Sequence, residues 1–393
     1  MTAPTSLEEY RVELRDWLSS DPAALRDLRG WAELEHERYV ALGQELSAIT
    51  WERGFKRFGW PVEVGGLGGG PRYRAVYYDE LCAAGLFVPE GDFSGEVLGP
   101  AVIRYAPALA AEYGAAMLSG RELWGQGFSE PEAGSDLAAL RTRATPTEGG
   151  YLVNGQKVWT SNGHLADRLF TLVRTGPADS RHRGISVLFI DADSPGVLRR
   201  PLEFASGAHE MCETFFDDVT VPTARRIGAE NEGWAIAMFL LQFERAMYSA
   251  QRQAWLLARL RELAAQLRRT GQSGDPAAAD VLGRAWLAVS LLRTKSAQTV
   301  ARLDAGETVG PAASADKVLL AAAEQGVLDA ARELLGAGFD ALDENASWRA
   351  QWWYSRASSI YGGSAEIQRT ILADRVLGLP PEQARAARIG APS

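Results

Sequence analysis

The sequence predicts an α+β multidomain chain: a helical N-terminal domain, a middle β-barrel or sandwich, and a C-terminal four-helix bundle. Three observations predict it. The apolar period is near 3.6 up to about Gly120, near 2 through the middle, and near 3.6 again after Gly233. The length, 393 residues, exceeds one ordinary domain and falls short of four. Proline is absent from Trp234 through Leu267, which leaves room for a long uninterrupted helix. The boundaries read as 1–119, 120–228 and 229–393.

In the first domain Leu7, Tyr10, Leu14 and Leu18 recur at spacings of three and four, the mark of an amphipathic helix. Trp31, Leu34 and Tyr39 through Ile49 look similar. A Gly/Pro cluster interrupts from Gly59 to Pro71. Helical patterns resume at Tyr77–Gly85 and again from Ala101 to Met117. In the middle domain Tyr151–Trp159 holds Asn154-Gly155 between apolar stretches, a hairpin signal. Arg168–Arg174, Gly184–Ile190 and Glu213–Val221 read as strands, the last stopped by Pro222. Four helical patterns follow: Trp234–Leu267, Ala277–Leu303, Ser314–Leu335 and Ala365–Leu377.

Composition narrows the function. Lys and Arg number 41 against 50 Asp and Glu, a net charge of −9 without a basic block, which argues against nucleic acid or an anionic membrane as partner. Cys82 and Cys212 make no disulfide framework and fit a reducing compartment. The first residues have neither the basic nor the apolar segment of a signal peptide, and no apolar run approaches the ~20 residues that span a bilayer. A cytoplasmic enzyme is the expectation. His36, His164, His182 and His209 lack metal-ligand spacing, so no metal is expected. Gly65–Gly70 follows no strand and is not a dinucleotide fingerprint.

Five segments resemble, in order, the acyl-CoA dehydrogenase family. Gln126-Gly-Phe-Ser-Glu-Pro-Glu-Ala-Gly-Ser-Asp136 is similar to its flavin-loop signature, as is Asn154-Gly-Gln-Lys-Val-Trp-Thr-Ser-Asn162. Phe215–Pro222 is similar to the strand that closes its barrel, and Glu230–Trp234 to the turn into its first bundle helix. Ile360-Tyr-Gly-Gly-Ser-Ala-Glu-Ile-Gln-Arg-Thr-Ile-Leu-Ala373 looks like its catalytic-loop segment. The resemblance implies FAD between barrel and bundle, and dehydrogenation of a saturated acyl thioester in fatty acid or polyketide metabolism. Such chemistry needs a base for the α proton and a flavin N5 for the β hydride, on opposite sides of the substrate. The enolate that develops needs hydrogen bonds to the thioester carbonyl, and the base needs a raised pKa.

The roles that the resemblance implies are specific. Many members carry a Glu after the Tyr of the catalytic loop, but here that position is Gly362. In another branch the glutamate precedes an Arg on the bundle helix. Phe243-Glu-Arg-Ala246 matches that pattern and makes Glu244 the candidate base, with Gly362 leaving room for it and its N–H donating to the thioester carbonyl. Gln126, Phe128 and Ser129 would lie beside the isoalloxazine, Trp159 would cover it, and Ser161 would hydrogen-bond near N5. Gly134 and Ser135 would approach cofactor and thioester, where glycine permits close backbone contact. Ser364 and Glu366 would touch the dinucleotide part. Ser135, Arg245 and Tyr361 would contact substrate.

Other positions depart from the family. Homotetrameric members offer an Arg followed by Phe-Gly, and later a Gln, to a neighbour's FAD. Here Arg268 or Arg269 would serve, but the Phe is missing and 277–282 has no Gln. The resemblance implies acyl-CoA or acyl-carrier protein as substrate, an electron-transferring flavoprotein as acceptor, and a homodimer or homotetramer, with a mixed complex as the other arrangement. Two rival functions share the fold: a flavin oxidase or N-monooxygenase, and a cofactor-deficient partner subunit of a mixed dehydrogenase complex.

Overall fold

The computed structural model describes residues 6–28 and 35–380. Trp31 and Leu34 of the sequence reading lie outside them. The N-terminal part holds α1 (Leu7–Ser19), α2 (Ala23–Arg26), α3 (His36–Glu52), α4 (Pro71–Ala83), α5 (Glu90–Tyr105) and α6 (Pro107–Leu118). The first begins at a capping box, in which the Ser6 hydroxyl accepts from the Glu9 N–H and the Glu9 carboxylate takes the Ser6 N–H. Its Tyr10, Leu14 and Leu18 are buried, as their spacing predicts. Ala101 to Met117 is not one helix. Pro107 disfavours the α region for Ala106, which sits at φ −144°, ψ 63°, and a new helix starts with the proline in its first turn.

The middle part is one sheet of eight strands: β1 (Trp124–Gly127), β2 (Arg143–Thr147), β3 (Gly150–Ser161), β4 (Arg168–Arg174), β5 (Ile185–Asp191), β6 (Val197–Leu202), β7 (Met211–Pro222) and β8 (Arg226–Ile227). The order is β6-β7-β3-β2-β4-β5-β8, with β1 beside β4. Tyr151, Val153, Leu169, Val173, Leu188, Phe216 and Val219 share one cluster, so the sheet curls around a core of its own. The alternate residues Phe170, Leu172, Val187 and Phe189 face outward and pack with α5 and α6.

The hairpin expected at Asn154-Gly155 is absent. The third strand runs straight through that pair, with a register shift against β7 between Val153 and Gly155. Gly155 is there for close approach: a Cβ would stand 2.6 Å from the Thr142 Cα. The hairpin turn lies one step earlier, at Glu148-Gly149, where Gly149 takes φ +83°.

The C-terminal part holds three long helices, α7 (Gly233–Arg269), α8 (Pro276–Asp304) and α9 (Ser314–Leu335). The expected fourth helix, Ala365–Leu377, is present as one helical run over 365–376 whose second half is wound as a π turn. After α10 (Ala337–Ala341) and α11 (Ala346–Ser355) comes α12 (Ala365–Ile371), which passes into a π turn over Leu372–Val376. Together these shorter segments occupy the fourth flank.

One helix joins all three parts. Ile236, Ala237 and Leu240 of α7 belong to the core beneath the sheet, while Met247, Ala254 and Leu260 belong to the core shared by N-terminal helices and bundle. Glu244 falls at the seam between these cores. Cys82 and Cys212 are free and buried, and burial pushes the Cys82 thiol up to about 12. Among the described residues, no helix is long and apolar enough to cross a membrane.

Candidate active site

Glu244 is 8% exposed, so it is not one of the solvated helix glutamates that make up most of the type. Its Oε2 accepts a 3.4 Å hydrogen bond from Gln126 Nε2 at the end of β1. From the other side comes Gly362, at φ +62°. A Cβ built there would stand 2.8 Å from Glu244 Oε1, so the absent side chain is the space that the carboxylate uses. Burial pushes the Glu244 carboxyl above the ordinary range, against the opposing pull of Arg245, the Gln126 amide and Lys317. Arg245 is half-buried, its Nε enclosed without a hydrogen-bond partner among the described residues, and burial lowers its pKa.

The loop from Gln126 to Asp136 is anchored from below by a buried pair. Lys157 Nζ donates to the Phe128 carbonyl at 3.0 Å and to Glu130 Oε1 at 2.8 Å. The same carboxylate accepts the N–H groups of Arg141 and Thr142 at 2.6 and 2.8 Å. Phe128 is buried, Gln126 and Ser129 are half-buried, and Gly134 and Ser135 are exposed. On the adjoining end of β3 the backbone departs from the strand. Trp159 takes φ +62° and Asn162 φ +51°, with Ser161 between them. The indole is left 56% exposed. Left-handed backbone at a non-glycine residue costs of order 1–3 kcal/mol and gathers where a ligand is clamped. An exposed indole on a rigid shelf, with hydroxyl and amide groups beside it, fits a planar aromatic cofactor. Asn162 Oδ1 also meets His36 Nε2 at 2.6 Å, which ties this shelf to α3.

The other candidates lie apart. The Ser364 hydroxyl caps α12 by accepting the Ile367 N–H at 3.3 Å, and Glu366 is exposed in that helix's first turn. Arg268 and Arg269 are exposed in the last turn of α7. At 1.5 Å per residue they stand about 36 Å along the axis from Glu244, so one chain does not bring them to that carboxylate. Tyr361 points its hydroxyl into the bundle, 3.2 Å from Tyr248 and 3.4 Å from Glu324 Oε2.

Two features were not found by sequence reasoning. Lys317, 4% exposed, lies under the turn that holds Tyr361 and Gly362, and its Nζ stands 4.0 Å from the centroid of the Tyr361 ring. The usable signal was its place in an apolar stripe of α9, with Leu320, Glu324 and Val327. The second is a cavity of ≈150 Å³ beside Tyr248, lined by Tyr39, Phe93, Trp255 and Tyr354 and by the polar His36, Gln251 and Arg252. Tyr248, Gln251 or Arg252, and Trp255 follow Glu244 at helical spacing, so the cavity opens one turn beyond the carboxylate.

Comparison with known proteins places the family of the chain. Residues 125–219 match the model of the acyl-CoA dehydrogenase middle domain, and 231–377 that of the C-terminal domain. Acyl-CoA dehydrogenase IpdE1 of Mycobacterium tuberculosis is 36% identical over 96% of this chain and 98% of its own length. Among solved structures, a Tcur3481-Tcur3483 steroid ACAD superposes with a TM-score of 0.84 at 26% identity, covering 96% of this chain and 99% of that one. The ChsE4-ChsE5 complex from Mycobacterium tuberculosis gives 0.79 at 27%, covering 97% and 100%. Fold and matches together define a flavoprotein oxidoreductase. The chain belongs to the acyl-CoA dehydrogenase family, whose members are FAD-dependent.

Proposed function

We propose that this protein introduces a Cα–Cβ double bond into an acyl-CoA whose acyl group is bulky and ring-containing. The observation that carries the reaction is the fit of Glu244 Oε1 into the space left by Gly362. A carboxylate buried there takes the α proton, and the raised pKa that burial confers matches it to a weakly acidic C–H. Bound FAD supplies the hydride acceptor. Gln126, Phe128, Ser129, Trp159 and Ser161 would hold its ring system, with Gly134 and Ser135 beside the thioester. The Gly362 N–H would donate to the thioester carbonyl and stabilise the enolate. Arg245, enclosed with an unpartnered Nε, would bind the CoA arm.

The cavity beyond Tyr248 supports the bulky acyl group. Its aromatic walls come from α3, α5, α7 and α11, and the similar steroid ACAD points to the same class. Substitution of Glu244 by Gln tests the base: the protein should keep its flavin yet lose anaerobic bleaching by every acyl-CoA. Bleaching at the wild-type rate would remove Glu244 from the role. A panel running from straight-chain to polycyclic acyl-CoAs tests the pocket, and preference for the straight chains would refute the ring-containing class. A flavin oxidised by O2 but never bleached by thioesters would move the assignment to oxidase chemistry.

A mixed assembly is the second reading, motivated by the missing Phe after Arg268 and Arg269 and the missing Gln in 277–282. Any cofactor contact these arginines make would be to another subunit's site, and two of the similar structures carry two chain names. Electron-transferring flavoprotein is the proposed acceptor.

A further inference from the structure

Beneath the catalytic loop lies a file of charges of alternating sign, the first three buried and the last half-buried. Glu244 is followed by Lys317, then Glu324, then Arg252, which pairs with Glu324 through Nη2. Lys317 and Glu324 both reach the loop, Glu324 through the Tyr361 hydroxyl and Lys317 through the backbone. The Lys317 Nζ donates to the Ser358 carbonyl, its one hydrogen-bond acceptor among the described residues, and packs on the Tyr361 ring at 4.0 Å. Its Cε would lie 3.2 Å from a Cβ on Gly362, the same point that lies 2.8 Å from Glu244 Oε1. That keeps the Lys317 Cε within about 6 Å of the carboxylate oxygen, with the charged Nζ at most one bond further, and Lys317 acts on Glu244 as an opposite charge that favours its ionised form.

We propose that Lys317 is a positioning residue for proton abstraction: it pins the turn from Ser358 to Gly362 against the bundle and holds Glu244 in its ionised, proton-accepting form. The inference rests on Glu244 being the base. Burial alone would leave Glu244 protonated over more of the pH range, and a protonated carboxyl cannot take a proton. The other charged and titratable groups around this pair are Arg245, Tyr248 and Arg252 on α7, Glu324 on α9, Tyr354 on α11, and Tyr361 on the loop. Arg252 is committed to Glu324, so Arg245 and Lys317 are the cations left facing Glu244. Burial pushes the Lys317 ammonium down to about 8. Its support of Glu244 is therefore present below that pH and fades above it.

The test compares wild type with Lys317→Met and Lys317→Arg. The rate of anaerobic flavin reduction is followed across pH, and amide exchange of residues 358–363 is measured in the same proteins. The acid limb of the Lys317→Met profile should move up by about one pH unit, with the difference from wild type closing above pH 8. Exchange in the turn should quicken about tenfold. The Arg variant should retain the wild-type limb. Should Lys317→Met fail to fold, Lys317→Gln can still donate to the Ser358 carbonyl and tests the charge alone. A limb that stays in place, with the rate lowered equally at every pH or not at all, would overturn the inference. Glu244→Gln, run in parallel, separates the two failures. If it still bleaches, the base assignment falls; if it is inactive while the Lys317→Met limb is unmoved, the role of Lys317 alone falls.

Discussion

At the scale of single residues, the site turns on an atom that is missing. Gly362 holds a left-handed backbone and cedes its Cβ position to Glu244 Oε1. Gly362→Ala should lose about 1 kcal/mol from backbone strain and slow flavin reduction by well over tenfold. Thermal unfolding and anaerobic stopped-flow measurements on the same sample check both, and an unchanged rate would show that the carboxylate does not need this space. Glu244 also reports on stability. Its folded pKa lies above its unfolded one, so the cost of burying the charge is absent below the unfolded value and grows as pH rises through the folded value. Glu244→Gln should accordingly stabilise the fold more at pH 8 than at pH 4 in denaturant titrations. The pairing of Glu244 with Gly362 was legible only through the family resemblance, which shows one position without its usual carboxylate and another that carries one; the residues alone suggested a solvated helix glutamate. Lys317 went unread, because an Asp-Lys pair on a helix looks solvated unless its alignment with Leu320 and Val327 is weighed.

At the scale of elements, the long helices α7, α8 and α9 were legible to within one or two residues, because an uninterrupted 3.6 period survives any packing. The strands β4 and β5 were equally plain. Asn154-Gly155 misled because the same dipeptide serves a tight turn and a bulge, and only the approach of Thr142 distinguishes them. The last helical pattern was legible as a helix, but its π turn over Leu372–Val376 was not, because sequence period alone does not separate a widened turn from an α turn. The segment that would carry FAD depends on an element contact of its own. Lys157, with its ammonium pushed down to about 8 by burial, ties β3 to the loop after β1 through Phe128 and Glu130. Lys157→Met should leave Glu130 buried without its cation, costing about 3–5 kcal/mol, and should release flavin. Flavin absorbance after gel filtration, set beside the melting temperature, reads both effects.

At the scale of the whole molecule, α7 is the common member of the sheet-side and helical cores, so the proposed base, the proposed cofactor shelf and the cavity come together only when the sheet and the helices dock. Replacing Arg268 and Arg269 together by Ala should leave the monomer's stability within about 0.5 kcal/mol, as is usual for exposed positions. It should lower FAD occupancy only in the assembled oligomer, as light scattering combined with flavin quantitation would show. The two buried thiols offer a different use of the same architecture. Cys82 belongs to the helical core and Cys212 to β7. A thiol reagent meets neither in the closed protein, so the rate at which each is labelled measures how often its surroundings open. Two clocks are thereby built into one chain, one in the helices and one in the sheet. Whether they run together or apart will tell whether the docked parts open as a single cooperative unit.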